Sequence, residues 1–248
     1  LELKFDEELD VTITSGEVRR KLYYTGTRAI GTASGFVKVT NGTVRFDNVV
    51  LSGSTGEIDG RVVYAAEYGS VVLNDVLVTN GRVNNTENVT TGGSAVFADK
   101  GGNVTLMGGT EVTRNTTTGY GAIYVDDGGF VTVQDDVTIS DNTALEGGAI
   151  YAVGQSSDSE GGLAIMGSVE ISGNKITGEN GAGLYIEKDA NASVSGDVTI
   201  HGNLVAKKQN NVYLAPEATL DIAGATVGAN IGISADPEFA YRLVSLPL

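Results

Sequence analysis

Apolar and polar residues alternate in short runs along most of this chain, and the runs come in threes. AIYV at 122–125, FVTV at 130–133 and VTIS at 137–140 are separated by short stretches of Asp, Gly and other polar residues. Alternation over four residues bounded by turn formers predicts short, half-buried strands. The triplet returns as AVFA, NVTL and EVTR within 95–114, as AIYA, LAIM and VEIS within 149–172, and as GLYI, SVSG and VTIH within 183–201. Three strands per unit predict a coil of triangular section, in which matching strands of successive turns pair in parallel about 4.8 Å apart around an apolar interior.

Two markers keep this order. An aromatic recurs as Tyr64, Phe97, Tyr124, Tyr151, Tyr185 and Tyr213, and an Asn as Asn80, Asn115, Asn142, Asn174 and Asn203. Such periodicity is the mark of a stacked solenoid. The expected organisation is all-β: a capping turn over 1–34, parallel β-helix repeats over 35–230 in about seven or eight turns, and a C-terminal cap or the start of a following segment over 231–248. Asn tolerates left-handed backbone, and stacked at strand spacing its amide forms a hydrogen-bonded ladder, so the Asn positions read as structural. The Gly pairs at 92/93 and 147/148 read as turn residues, because no phosphate-binding pattern follows them.

Composition narrows the function classes. The 248 residues include 35 Gly, 3 Pro and no Cys or Trp, and 41% are apolar, enough for one domain with a sizeable core. The lack of Cys excludes disulfides and thiolate metal sites and suits either a reducing cytosol or an exported bacterial protein. With 16 basic and 31 acidic residues the net charge is −15, which disfavours nucleic acid and anionic membranes as partners. No apolar run approaches the roughly 20 residues of a membrane span, and no charged-then-apolar leader precedes Leu1, so the chain reads as a mature form or an excised piece of a larger surface protein, monomeric and not inserted in a membrane.

Ile139-x-x-Asn142 followed by Gly147-Gly148-Ala149-Ile150 resembles the repeats of polymorphic outer-membrane proteins, whose pattern is Phe-x-x-Asn plus Gly-Gly-Ala-Ile. Looser copies lie at 112–123 and 171–184, and Ile139 and Ile171 stand where that family has Phe. The resemblance implies a right-handed parallel β-helix displayed outside a bacterial cell, often as an adhesin.

Strand parity orients the aromatic strand, since alternate side chains point to opposite faces. Two positions after the aromatic stand Asp99, Asp126, Val153 and Glu187, whereas the residues on either side of each ring are apolar. Carboxylates are costly in a dry core, so the acids and the rings should share the outward face. Phe97, Tyr124, Tyr151 and Tyr185 with Asp99, Asp126 and Glu187 are therefore the expected ligand-binding residues. Rings receive apolar sugar faces while carboxylates bond hydroxyls, which points to a glycan or host-surface receptor. The competing reading is that the rings stack on one another, or lie under a loop, and finish the sheet. Longer connections at 153–162, 82–92 and 174–181 are candidate rims.

A glycan-cleaving enzyme, glycosidase or polysaccharide lyase, is the alternative. Asp99 and Asp126 on adjacent turns would lie about 4.8 Å apart at the backbone, near the roughly 5 Å between carboxyls of a retaining glycosidase. The same pair could share a calcium ion, the one cofactor the sequence raises. Lys100 and Lys188 should point away from the acids, and His201, placed in the slot of Arg114, Asp141 and Gly173, reads as an exposed turn residue. Thr105, Thr132, Thr113, Thr138 and Thr199 make partial outward ladders, broken at Ala164 and Glu170. The preferred reading is a non-enzymatic extracellular adhesin or binding module.

Overall fold

The computed structural model describes residues 2–4, 10–24, 35–53, 60–84, 92–225 and 230–235. Within them the chain coils into a parallel β-solenoid of four sheets, with nine strands in the first, eight in the second, eight in the third and six in a short fourth. Eight strands make seven steps, so about seven full turns separate the ends of the second and third sheets. One turn runs through Ile123–Val125, Phe130–Gln134, Val137–Ser140 and Thr143–Ala144, one strand in each sheet. The first three are those read from the alternation. The fourth was not anticipated, because two residues after the Asn carry no alternation to read.

Register is strict from turn to turn. Val96 pairs with Ile123, then Ile150, Leu184 and Val212 in the first sheet, while Val78, Val112, Ile139, Ile171 and Ile200 line up in the third. These columns are at most 1% exposed and form one continuous core. Each buried Val, Leu or Ile stabilises the coil by about 1.5–3 kcal/mol, and the register repeats the gain every turn. A one-residue slip would put the whole apolar set on the outside.

The corner between the third and fourth sheets divides between two residues the task expected of Asn alone. The left-handed residue is the one before the Asn: Arg114 (φ 59°), Asp141 (φ 55°), Gly173 (φ 67°) and Gly202 (φ 62°). Asn115, Asn142, Asn174 and Asn203 then point inward, fully buried. The side-chain oxygen of Asn142 accepts from the main-chain N–H and the amide of Asn115, both at 3.0 Å. Asn174 does the same for Asn142 at 3.0 and 3.0 Å, and Asn203 for Asn174 at 3.0 and 2.8 Å. Asn80 does not belong to this ladder. Thr79 pairs with Thr113, so Asn80 stands opposite Arg114 in the left-handed slot (φ 58°), and Gly81 takes the ladder position and donates its N–H to Asn115 Oδ1 at 2.8 Å.

The ladder ends in a device of its own. Leu204–Val205 and Lys208–Gln209 form the one antiparallel pair among the named strands, turning at Ala206 and Lys207, both with positive φ. This two-residue hairpin folds the chain back so that Asn211 lies over Asn203, whose N–H and amide it accepts at 3.0 and 3.1 Å. At the other end, Glu2–Lys4, Asp10–Thr14 and Arg20–Tyr23 pair in parallel with the next turn. The rest of the expected cap (1, 5–9 and 25–34) and residues 236–248 lie outside the described residues.

Candidate functional site

In the first sheet the six aromatics occupy one column: Phe97 pairs with Tyr64 and Tyr124, Tyr124 with Tyr151, Tyr151 with Tyr185, and Tyr185 with Tyr213. Tyr64, Phe97, Tyr124 and Tyr151 stand apart from the interior core, in a second cluster with Ala66 against which Tyr120, Val153 and Tyr185 pack. The column faces away from the coil axis, yet its rings are not laid open. Phe97 and Tyr151 are 4% exposed and Tyr124 8%, while Tyr185 is half-buried. Successive ring centroids from Tyr64 to Tyr185 lie 4.6–5.7 Å apart with planes within 18° of parallel, so each interior ring has a neighbour against both faces. Strand spacing in a parallel sheet matches aromatic stacking distance, and an in-register column of rings therefore closes on itself.

Two further side chains join the column. Tyr120 stacks on Tyr151 at 4.5 Å. Arg61, 1% exposed, lays its guanidinium 4.3 Å from the Phe97 centroid and donates from Nε to the Gly92 carbonyl at 3.0 Å. Burial lowers the Arg61 pKa to about 10, with Tyr64, Asp99 and Asp126 acting against that shift. The guanidinium stays charged at neutral pH and serves as a buried cation beside outward acids. Tyr120 was legible in principle, since it replaces the first Gly of the repeated Gly-Gly-Ala-Ile pattern. Arg61 was not, for nothing in its local sequence says that it folds over the column.

The acids are engaged with the rings. Tyr64 donates its hydroxyl to Asp99, and Tyr151 donates to Glu187 Oε1 at 2.6 Å. Glu187 Oε2 accepts the Gly154 N–H at 3.0 Å. Asp126 accepts the Asp127 N–H at 2.9 Å. Burial raises the Asp126 carboxyl above its ordinary range despite that bond, and neighbouring Asp99 adds to the rise. Asp99 and Asp126 follow the paired residues Ala98 and Val125, so they stand on adjacent turns, whereas Val153 separates Asp126 from Glu187. Burial also pushes the phenols of Tyr64, Tyr124, Tyr151 and Tyr185 upward, and for Tyr64 and Tyr151 the carboxylate partner adds to this. Chemically the face offers ring edges and carboxylate oxygens with spare lone pairs, while the flat ring faces are spent on one another.

The rims are tied down. In the 153–162 connection, Gln155 accepts the Gly128 N–H at 2.8 Å and donates to Val153 O at 3.0 Å, while the Ser156 N–H reaches Asp127 at 2.9 Å. The 174–181 segment bonds back to the preceding turn through Thr177 and Gly178. Residues 85–91 of the third rim lie outside the described residues.

On the third sheet an open groove of about 350 Å³ is lined by Asp136, Thr138, Glu170, Asp197, Thr199 and His201, among others. His201 lies 3.4 Å from Glu170. Its slot differs from the one expected: Ser172 pairs with His201, so it aligns with Thr113, Ser140 and Ser172, and Gly202 holds the left-handed position. Lys188 pairs with Glu217. Among the described residues no three His, Cys, Asp or Glu side chains are placed to hold a metal ion, and no helix is long and apolar enough to cross a membrane.

Residues 136–153 match the Chlamydia polymorphic membrane protein (Chlamydia_PMP) repeat. The matched span starts at the corner before Val137–Ser140, passes through ladder residue Asn142 and Thr143–Ala144, and ends just beyond Ile150–Ala152. In it, Gly147 (φ +60°) adopts the left-handed conformation and Gly148 passes so close to the next turn that a Cβ would lie 2.2 Å from the Ala182 carbonyl oxygen. The Asn and the Gly pair of the motif thus form two corners of the coil. No curated protein and no solved structure matches the chain. The chain is a parallel β-solenoid repeat protein that, over this turn, is similar to the polymorphic membrane proteins.

Proposed function

We propose that this solenoid is a surface-displayed binding module of a bacterial adhesin, exposed outside the cell and holding a glycan or host-surface receptor against its first sheet. The observation that carries the reading is the repeat match, because residues 136–153 include the buried Asn and the column aromatic that recur from turn to turn, with the Gly pair between them. Asp99, Asp126 and Glu187 supply hydrogen-bond acceptors, and Phe97, Tyr124, Tyr151 and Tyr185 supply ring edges beside them. Because the interior ring faces are occupied, a sugar lies along the edge of the column instead of on a ring plane. Half-buried Tyr185 and its neighbour Glu187 are then the contacts most open to a ligand. The net charge of −15 favours a neutral or basic partner.

The test is a glycan array and a host-cell adhesion assay with the purified chain, Glu187→Gln and Tyr185→Ala, each checked for an intact far-UV spectrum. Binding that falls about tenfold in both variants supports the reading, since a hydrogen bond to a charged group is worth about 1.5–3 kcal/mol. Binding unchanged in both, or absent from the parent chain, rejects it. The raised Asp126 carboxyl beside Asp99 favours a second reading, glycan cleavage. Release of reducing ends that Asp126→Asn abolishes would replace the first reading with that one.

A further inference from the structure

The outward face of the second sheet carries no charged side chain over five consecutive turns of a chain whose net charge is −15. Its central column is Val72, Thr105, Thr132, Ala164 and Ser193, in register and each half-buried. Beside it lie Met107, Met166 and Phe130, also half-buried and turned away from the core, in columns they share with the uncharged polar residues Asn74, Asn103 and Gln134. Charge returns at both ends, as the Arg45–Asp47 ion pair one turn before and Asp221 one turn after. The third sheet keeps charged residues in its outer column over the same turns, Glu111 and Glu170 among them.

Acids line the two long edges of this floor. Asp126, Asp127 and Asp189 stand at the turns entering the second sheet, where they and Asp99 and Glu187 outnumber Lys100 and Lys188, and Asp135, Asp136 and Asp197 stand at the turns leaving it, the last three exposed. Asp136 and Asp197 also wall the 350 Å³ groove of the third sheet, so an open, acid-lined space adjoins that edge. The edges lie within the roughly 8–10 Å over which charges act at moderate salt. Five strands span about 19 Å along the axis, too small a face for a folded domain, which usually needs about 800 Å² per partner. It suits a single segment.

We propose that the second sheet is a docking surface for a cationic amphipathic polypeptide segment, whose apolar side lies on the Met, Val, Phe and Thr floor and whose Lys or Arg side chains reach the acidic edges. Flexible Met side chains adapt to varied apolar partners, while the edges select for positive charge and orient it. The opposite arrangement, a basic floor facing anions, is nowhere present on this face. Asp126 borders both faces, but the floor itself shares no residue with the aromatic column of the first sheet and stands without it.

The probe is a fluorescent Lys/Leu amphipathic peptide of about 14 residues, about 21 Å long as a helix, titrated into the whole chain and followed by anisotropy. Thr132→Lys places a cation in the centre of the floor; Thr113→Lys places the same charge on the third sheet. The expected result is about tenfold or greater weakening by Thr132→Lys, since like-charge juxtaposition costs several kcal/mol, with less than about twofold by Thr113→Lys. Asp136→Asn with Asp197→Asn is expected to weaken binding and flatten its salt dependence. Far-UV spectra establish that each variant is folded. Equal weakening by the two Lys variants, or equal binding of a Lys/Gly peptide without Leu, would show diffuse attraction to an acidic protein and overturn the proposal. So would the absence of binding. A concentration-dependent dimer that Thr132→Lys abolishes, without peptide binding, would overturn it in favour of a second copy of this chain.

Discussion

Truncating one amide of the ladder tests the load that the repeated Asn carries. Asn142 is fully buried and its side chain satisfies every polar capacity it has: the amide donates to Val112 O at 2.9 Å and to Asn174 Oδ1 at 3.0 Å, and the oxygen accepts the N–H and the amide of Asn115. Asn142→Ala removes these four hydrogen bonds at once. Some orphans are relieved locally. The Asn115 amide still reaches Val78 O and Thr113 O at 3.1 Å, and Asn174 Oδ1 still accepts the Asn142 N–H. One group has no such relief, the Asn115 main-chain N–H, whereas the Val112 carbonyl still faces the paired strand Val137–Ser140.

A buried polar group left without a partner costs about 1–3 kcal/mol, so the expected loss is about 2–4 kcal/mol once the lost amide bonds and packing are added. Stability of a domain is about 5–15 kcal/mol, so the effect is large. Urea unfolding followed by far-UV circular dichroism measures it, with Asn80→Gly as the control. Asn80 lies one position off the ladder, its amide makes one side-chain bond, to Ser52 Oγ at 3.0 Å, and its positive φ suits Gly. That variant should lose less than about 1.5 kcal/mol. A loss below about 1 kcal/mol for Asn142→Ala, or equal losses for the two, would refute the claim that the ladder holds the corner.

Gly148→Ala should prevent the turn from closing, because its Cβ would press to 2.2 Å on a main-chain carbonyl, whereas Gly202→Ala, with open space but φ +62°, should lose only about 1–2 kcal/mol; soluble yield and thermal midpoints compare them. Tyr64, Tyr124, Tyr151 and Tyr185 have phenol pKa values raised above the ordinary 10.0, chiefly by burial. Their stabilisation is complete below pH 10.0 and is lost as pH rises toward the folded values, at up to about 1.4 kcal/mol per pH unit per phenol. Phenolate absorbance should therefore appear together with loss of circular dichroism; all tyrosines titrating near pH 10 in a folded chain would contradict the buried column. For Asp126, whose carboxyl is raised by burial, the charged form disfavours folding at neutral pH. Asp126→Asn should then match or exceed the parent in stability at pH 7, with the difference vanishing below the ordinary value of 3.8; a variant markedly less stable at pH 7 would show that its charge is needed against Arg61.

What could be read from the chain, and what could not, follows from the range of each signal. Three of the four strands per turn were legible because Val, Ile and Leu alternate over four residues, and register followed from matching those strands between turns. The fourth strand, with Thr143–Ala144 or Lys175–Ile176, is too short to alternate, and its position depends on the inward turn of the Asn before it. The displacement of Asn80 by one place had the same origin. It ends an apolar run as the ladder residues do, and only the pairing of Thr79 with Thr113 shows that Gly81 holds the buried position. The aromatic face shows the limit of parity most clearly. Asp99, Asp126 and Glu187 correctly oriented the rings away from the core, but parity specifies a direction and says nothing of what lies over a side chain. The coverage was nonetheless implicit in the repeat: rungs about 4.8 Å apart bring aligned rings into stacking contact, so every interior ring must spend both faces on its neighbours. A column that had to offer free ring planes to sugars would need gaps, with aromatics on alternate turns. Here Tyr64 through Tyr213 leave none, and the face presents ring edges, carboxylates and the turns around them.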